Sequence, residues 1–230
     1  MKRLILSLFL IGPVTGAADT LAPLPPLPEA DARQWPAIGR IFDPNNPDRG
    51  FCSGTLVAPD VVLTAGHCAG GTVSDQPDAQ SLFLAGAFNG ETAATRRITA
   101  RLRHPTYLST GDHTPEFDIG LWHLSSPIEN ITPLPLGTAQ SDTFALLGYH
   151  RMIPFRLSGR MDCPLKELRP GLIEVGCRVI SGNSGSPLLQ TRADGGVEVV
   201  AVTSSQNGAN AITVRIGTWL RETLAGLTSN

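Results

Sequence analysis

Three short segments hold side chains able to act together chemically, and they occur in the order His, Asp, Ser. His67 lies in Leu63-Thr64-Ala65-Gly66-His67-Cys68, Asp118 in Phe117-Asp118-Ile119-Gly120-Leu121-Trp122-His123-Leu124, and Ser184 in Ser181-Gly182-Asn183-Ser184-Gly185-Ser186-Pro187-Leu188-Leu189. A serine hydroxyl is a poor nucleophile until a neighbouring base takes its proton. Imidazole titrates near neutrality and suits that task. A buried carboxylate behind the imidazole fixes its tautomer and stabilises the imidazolium that forms. Gly182 and Gly185 allow a tight turn around Ser184 in which backbone N–H groups converge on one point. Singly, each residue has a bland reading: a satisfied core histidine, a turn aspartate, a serine in a Gly/Ser loop. Together, with their flanks, they specify nucleophilic catalysis. Chain order narrows it further, since α/β-hydrolases run Ser, acid, His and use G-x-S-x-G, whereas the residue two after Ser184 is Ser186. Asp112 rivals Asp118 for the carboxylate but sits in a Gly/His/Thr loop with no strand behind it. His104, His113, His123 and His150 show no metal-ligand spacing, so neither metal nor cofactor is expected.

These residues need a scaffold, and the composition says which kind. The chain has 230 residues, 24 of them Gly and 19 Pro, about 19% together against roughly 12% in an average protein. That surplus favours short strands joined by turns. With 41% hydrophobic and 17% charged residues, the chain can build a core and is not disordered throughout. Candidate strands are residues 38–42, 53–57, 61–64, 82–85, 97–103 and 119–124, then 144–149, 152–157, 172–177, 186–190, 197–203 and 211–215. Between the two series, residues 126–140 carry Pro127, Pro133 and Pro135 and read as a connection. Two sets of about six strands predict two barrels or sandwiches packed together. Only the end reads as a helix, with Ile216, Trp219, Leu220 and Leu224 on one face, a surface expected to dock on the second unit.

The start of the chain predicts its destination. Lys2 and Arg3 precede an apolar run from Leu4 to Ile11 broken only by Ser7, and Gly16, Ala17 and Ala18 offer a cleavage site. Residues 1–18 therefore read as a secretory signal peptide, too short for a permanent span, and no later segment has 18 consecutive apolar residues. The expected location is secreted or periplasmic, with no membrane contact after cleavage, and there the four cysteines can oxidise. Losing residues 1–18 removes two bases and no acid, leaving 16 basic and 20 acidic side chains. No basic run is present, so no nucleic-acid partner is expected. Residues 19–34, with Pro23, Pro25, Pro26 and Pro28, read as an extended tether or propeptide without a core of its own and short of ladder hydrogen bonds. The remainder, residues 35–230, reads as one domain in two units, about 35–126 and about 141–230.

The three segments resemble the trypsin/chymotrypsin family of serine endopeptidases, and Gly182-Asn183-Ser184-Gly185-Ser186-Pro187 resembles its secreted bacterial branch. The likeness runs from about Trp35 to the final helix. It implies an all-β fold of two packed six-stranded antiparallel β-barrels with a C-terminal α-helix. It also implies catalysis by His67, Asp118 and Ser184, with the N–H groups of Gly182 and Ser184 as the oxyanion hole, and protein or peptide substrates handled by a monomer. It implies a Cys52–Cys68 bridge tethering the loop that holds the base, with Cys163–Cys177 as the second pair. The pocket floor falls on Arg178 and its wall near Thr203, Ser204, Ser205 and Gln206. No acid stands at that floor, so a preference for Arg or Lys is not expected. An inward Arg178 would favour acidic P1 residues, although glutamyl-specific relatives carry a His near the Thr203 position and this chain does not. Asp75 and Asp78 lie where some relatives hold calcium, but with few carboxylates nearby they read as solvated loop. Where trypsin-type zymogens have an Asp that pairs with a new N-terminus, this chain has Asn183, and a neutral amide needs only hydrogen bonds. The oxyanion hole is therefore expected to form without an inserted N-terminus. Two other functions share these features: a catalytically silent binding module of the same fold, which would usually lack one of the three residues, and an esterase-like hydrolase acting on small esters.

Overall fold

The computed structural model describes residues 22–44, 51–69, 81–109 and 114–229. Among them the first series of apolar runs forms β1 (Ile38–Phe42), β2 (Cys52–Ala58), β3 (Val61–Thr64), β4 (Leu82–Ala85), β5 (Ala94–Arg103) and β6 (Gly120–Leu124). The second forms β7 (Thr143–Gly148), β8 (Ser158–Arg169), β9 (Leu172–Val175), β10 (Pro187–Thr191), β11 (Val197–Asn207) and β12 (Asn210–Arg215). Each set closes on itself. Around the first barrel the order is β1-β2-β3-β6-β5-β4, and around the second β7-β8-β9-β12-β11-β10, so the two repeat one topology. Closure leaves no unpaired sheet edge. The expected all-β fold of two six-stranded antiparallel barrels is borne out.

The strands that read most clearly are those buried along their whole length. β3 is Val-Val-Leu-Thr with every residue buried, and β-branched and apolar side chains suit such a position. Ile41, Leu56, Val62, Phe83, Ile98 and Trp122 fill the first barrel. Phe144, Leu146, Ile173, Val175, Leu188 and Val200 fill the second. A third cluster, including Leu63, Leu121, Leu147, Leu189 and Val202, joins the two where they meet. Both disulfides, Cys52–Cys68 and Cys163–Cys177, are present.

Three expectations are corrected. Residues 152–157 form turns rather than a strand, with Met152 and Phe155 exposed; Pro154 interrupts the run and has no amide to give a ladder. The strand falls instead at β8, whose Ser-Gly-Arg-Met-Asp-Cys-Pro-Leu-Lys-Glu-Leu-Arg sequence is exposed or half-exposed over most of its second half. The C-terminal helix (Thr218–Thr228), expected on the second barrel, packs chiefly against β6 of the first. Trp219 meets the His104 ring edge-on at 4.8 Å, and Arg221 donates to the carbonyls of Leu136 and Gly137 in the connection between barrels. The proline-rich stretch, where described, is not without ladder bonds. Leu24 and Leu27 are buried, Pro26 bridges to Ser158, the Leu27 amide donates to the Leu157 carbonyl and the Gly159 amide to the Pro25 carbonyl. The prolines keep the segment extended, and that shape lets two leucines reach the second barrel.

Candidate active site

β3 and β6 are neighbours in register, with Thr64 opposite Gly120. His67 follows β3 on a 3-10 turn, Gly66–Ala69, and Asp118 ends the turn Pro115–Phe117 just before β6. Strand pairing alone therefore brings base and acid together. Asp118 Oδ2 lies 2.7 Å from His67 Nδ1, and Oδ1 accepts the His67 backbone N–H at 2.8 Å. This two-point grip fixes the ring and requires the Nδ1 hydrogen to face the carboxylate, leaving Nε2 as the basic atom. The His67 side chain is 39% exposed and that of Asp118 6%, so the base is reachable while its anchor is dry.

Burial pushes the Asp118 carboxyl up, but the His67 hydrogen bond and charge, together with the Ser204 hydrogen bond, outweigh it and hold the group below the usual Asp range. The Ser204 hydroxyl donates to Asp118 Oδ2 at 2.5 Å. Ser204 sits at the bulge of β11 between Thr203 and Ser205, where the local kink aims it across the barrel boundary. Its side chain thus serves the carboxylate, a role that no feature of Thr203-Ser204-Ser205 signals in the sequence. Tyr107 is a second neighbour: a Cβ on Gly66 would stand 3.4 Å from its ring, and burial, then the Asp118 charge, raise its hydroxyl to about 12.

Ser184 precedes β10 in a loop tied to both barrels. The Ser53 amide of β2 donates to the Ser184 carbonyl at 2.8 Å, and the Gly185 amide to the Thr203 carbonyl at 2.8 Å. Gly182 and Gly185 have φ of +100° and +81°, values that side-chain-bearing residues rarely adopt. A Cβ on Gly185 would also collide with the Ser53 carbonyl and Thr64 Oγ1. The amides of Asn183, Gly185 and Ser186 donate to Ile180, Thr203 and Asn183. Those of Gly182 and Ser184 donate to no backbone carbonyl among the described residues. The loop therefore leaves two N–H groups of one turn available to an anion. Asn183 is fully buried; its Oδ1 accepts the Ile180 amide at 3.0 Å and its Nδ2 donates to the Tyr149 carbonyl at 3.1 Å. Both ends of the amide are satisfied by backbone.

Of the expected pocket residues, Thr203 is fully buried and its Oγ1 has no hydrogen-bond partner, Ser205 is exposed, and Arg178 is half-buried and engaged. Asp112, Asp75 and Asp78, together with the calcium-loop question, lie outside the described residues. Among the described residues Cys52, His67 and Cys68 approach one another as metal ligands do. Both sulfurs belong to the disulfide, so a single imidazole remains and no metal site forms.

Comparison with known proteins gives a consistent picture. Residues 28–219 match the Trypsin family model. A "Trypsin" of Saccharopolyspora erythraea is 28% identical over 118 residues, 51% of this chain and 48% of that protein; the chain spans about half the length of that curated relative. Among solved structures, a Glu endopeptidase in complex with MPD superposes with a TM-score of 0.68 at 20% identity, covering 85% of this chain and 92% of the other. The protease Anisep from Arthrobacter nicotinovorans superposes with a TM-score of 0.65 at 18% identity over 85% and 97%. The thermostable serine protease AL20 from an extremophilic microorganism gives 0.67 at 19% identity over 86% and 99%. At these identities the structural likeness is one of fold.

Proposed function

The chain belongs to the trypsin family, and we propose that it is an exported serine endopeptidase that cleaves peptide bonds through an acyl-enzyme on Ser184. The reading rests chiefly on the two-point grip of Asp118 on His67, joined across the barrel boundary to a loop whose Gly182 and Ser184 amides are uncommitted to backbone. His67 Nε2 takes the Ser184 Oγ proton as the oxygen attacks the scissile carbonyl carbon. The carbonyl oxygen becomes an oxyanion received by the Gly182 and Ser184 N–H groups, and losing one such donor typically costs about 3–4 kcal/mol in the transition state. As the C–N bond breaks, His67 returns the proton to the leaving amine, leaving the acyl chain on Ser184. Water then attacks with His67 again as base and regenerates the serine. Asp118 stays ionised throughout, as its lowered pKa requires.

Export is supported by the signal-like residues 1–18 and by two disulfides, which persist in oxidising compartments. Among the described residues no helix is long and apolar enough to cross a membrane. For specificity, Arg178 at the expected floor supports a preference for acidic P1 residues, and one fold neighbour is a Glu endopeptidase.

Two measurements test the proposal. A fluorophosphonate probe should label wild type and not Ser184→Ala; a wild type that neither labels nor cleaves would overturn it. Cleavage of a peptide library should exceed turnover of small esters and enrich Glu or Asp at P1, an enrichment that Arg178→Ser should erase. Unchanged P1 preference in Arg178→Ser would remove Arg178 from the specificity pocket while leaving the protease reading intact.

A further inference from the structure

We propose that residues 24–27 act as an internal strap that holds the oxyanion loop in its working shape, with His150 as the positioning residue between them; this rests on the protease reading above. The strap lies upstream of residues 28–219, which the family model covers, so it is a feature of this chain beyond the matched domain.

The connection runs through four short contacts. His150 is 2% exposed, and its Nε2 lies 2.9 Å from the Leu24 carbonyl. A carbonyl only accepts, so Nε2 carries the hydrogen. Nδ1 is buried with no partner, which fits a neutral ring, and burial, only partly opposed by the bond to Leu24, lowers the pKa. His150 is flanked by two residues that hold the oxyanion loop directly. The Tyr149 carbonyl accepts Asn183 Nδ2 at 3.1 Å, and the Arg151 amide donates to the Ser181 carbonyl at 2.9 Å. The His150 backbone itself lies under Gly182, where a Cβ would come within 2.8 Å of the His150 Cα. Residues 149–151 are therefore the bed on which residues 181–183 rest, and Leu24 fixes the middle of that bed from behind.

The strap is anchored well enough to do this. Leu24 is 2% and Leu27 8% exposed. Backbone bonds join Leu27 to Leu157 and Gly159 to Pro25, and an Arg156 guanidinium N–H donates to the Leu27 carbonyl at 3.0 Å. Four prolines at residues 23, 25, 26 and 28 reduce the entropy lost on docking, since their φ is fixed beforehand. Without the strap, the His150 N–H loses its protein acceptor and the ring loses its cover, so the bed is no longer held in one position. Gly182 and Asn183 would then lose the backing that aims their turn. Displacement of preorganised donors lowers the rate of the chemical step more than substrate binding.

The test uses the full chain. Leu24→Ser/Leu27→Ser weakens docking, read by faster hydrogen exchange at the Gly159 amide, which donates to the Pro25 carbonyl. We expect a cooperative melt, kcat on a peptide substrate at least ten-fold lower, and KM within about three-fold of wild type, the split expected for lost transition-state stabilisation. His150→Ala should behave alike, and His150→Gln, whose amide can still donate to the Leu24 carbonyl, should recover most of kcat. Undocking with unchanged kcat overturns the proposal, as does a His150→Gln enzyme no better than His150→Ala. If the double variant does not fold, the His150 pair decides. A wild type without fluorophosphonate labelling would instead overturn the protease reading, so the two failures are distinguishable.

Discussion

Asp118 carries the electrostatics of the site, because three donors from two barrels converge on one buried carboxylate: the His67 ring, the His67 amide and the Ser204 hydroxyl. Asp118→Asn keeps the shape but lets the amide offer an N–H toward Nδ1, favouring the wrong imidazole tautomer. We expect kcat to fall about 10⁴-fold with little loss of fold; steady-state kinetics check it, and a loss under ten-fold would remove Asp118 from the catalytic set. Ser204 gives a pH prediction. The folded pKa of Asp118 is depressed, so its ionisation contributes stability that is full above the ordinary carboxylate value and is lost as pH falls through the folded value. Ser204→Ala removes one of the forces holding that pKa down. The folded value rises toward the ordinary one, stability at neutral pH falls by about 1.5–3 kcal/mol for a hydrogen bond to a charged group, and the acid limb moves to higher pH. Superimposable melting curves from pH 3 to 7 would show that Ser204 does not support the carboxylate.

At the scale of elements, the Cys163–Cys177 bridge joins β8 to the segment after β9. Both cysteines are almost fully buried among Phe144, Leu146, Ile173 and Val175. Their separation of 14 residues corresponds to about 3 kcal/mol in the chain-entropy model, and paired Cys→Ala changes would add cavity cost. Urea unfolding of Cys163→Ala/Cys177→Ala should show a stability loss of at least about 2 kcal/mol, and an unchanged midpoint would sink the argument. β8 also marks where sequence reasoning stops. β3 and β6 were legible because each is a dense apolar run, as were the short β1, β4 and β12. β8 was not, since Met161, Asp162, Pro164, Lys166 and Glu167 alternate without a clear apolar face, and pairing on both sides with β7 and β9 overrides weak local preference. Residues 152–157 looked like a strand from Met152, Ile153, Phe155 and Leu157, yet two of those side chains point to solvent. In the proline-rich stretch the extended shape was readable. The burial of Leu24 and Leu27 was not, because their partners lie more than 120 residues away.

Two barrels of one topology meet along a seam, and the proposed mechanism depends on that meeting, with His67 and Asp118 on one side and Ser184 on the other. His67, Asp118 and Ser184 were legible because each sits in its own distinctive flanking sequence. The residues that align the halves were silent, since a serine in a strand carries no local mark of a partner 86 or 129 residues away. Ser53 is the clearest case. It is fully buried on β2 of the first barrel. Its amide donates to the Ser184 carbonyl at 2.8 Å, its hydroxyl donates to the Gly182 carbonyl at 3.0 Å, and that same oxygen accepts the Tyr149 amide at 2.8 Å. Its carbonyl accepts the Thr64 hydroxyl at 2.8 Å, within the strand that leads to His67. Through its backbone Ser53 thus links Ser184 to the strand that leads to His67, and through its hydroxyl it ties Gly182 and Tyr149 to the same point. Ser53→Ala removes a single oxygen and leaves two backbone groups of the second barrel buried without partners, a loss of about 1–3 kcal/mol each. Because those groups belong to Gly182 and Tyr149, activity should fall with stability: kcat/KM down at least ten-fold even at a temperature where circular dichroism shows the protein fully folded. A variant that melts earlier but, while folded, turns over substrate like wild type would confine Ser53 to holding the barrels together and exclude it from aligning the site.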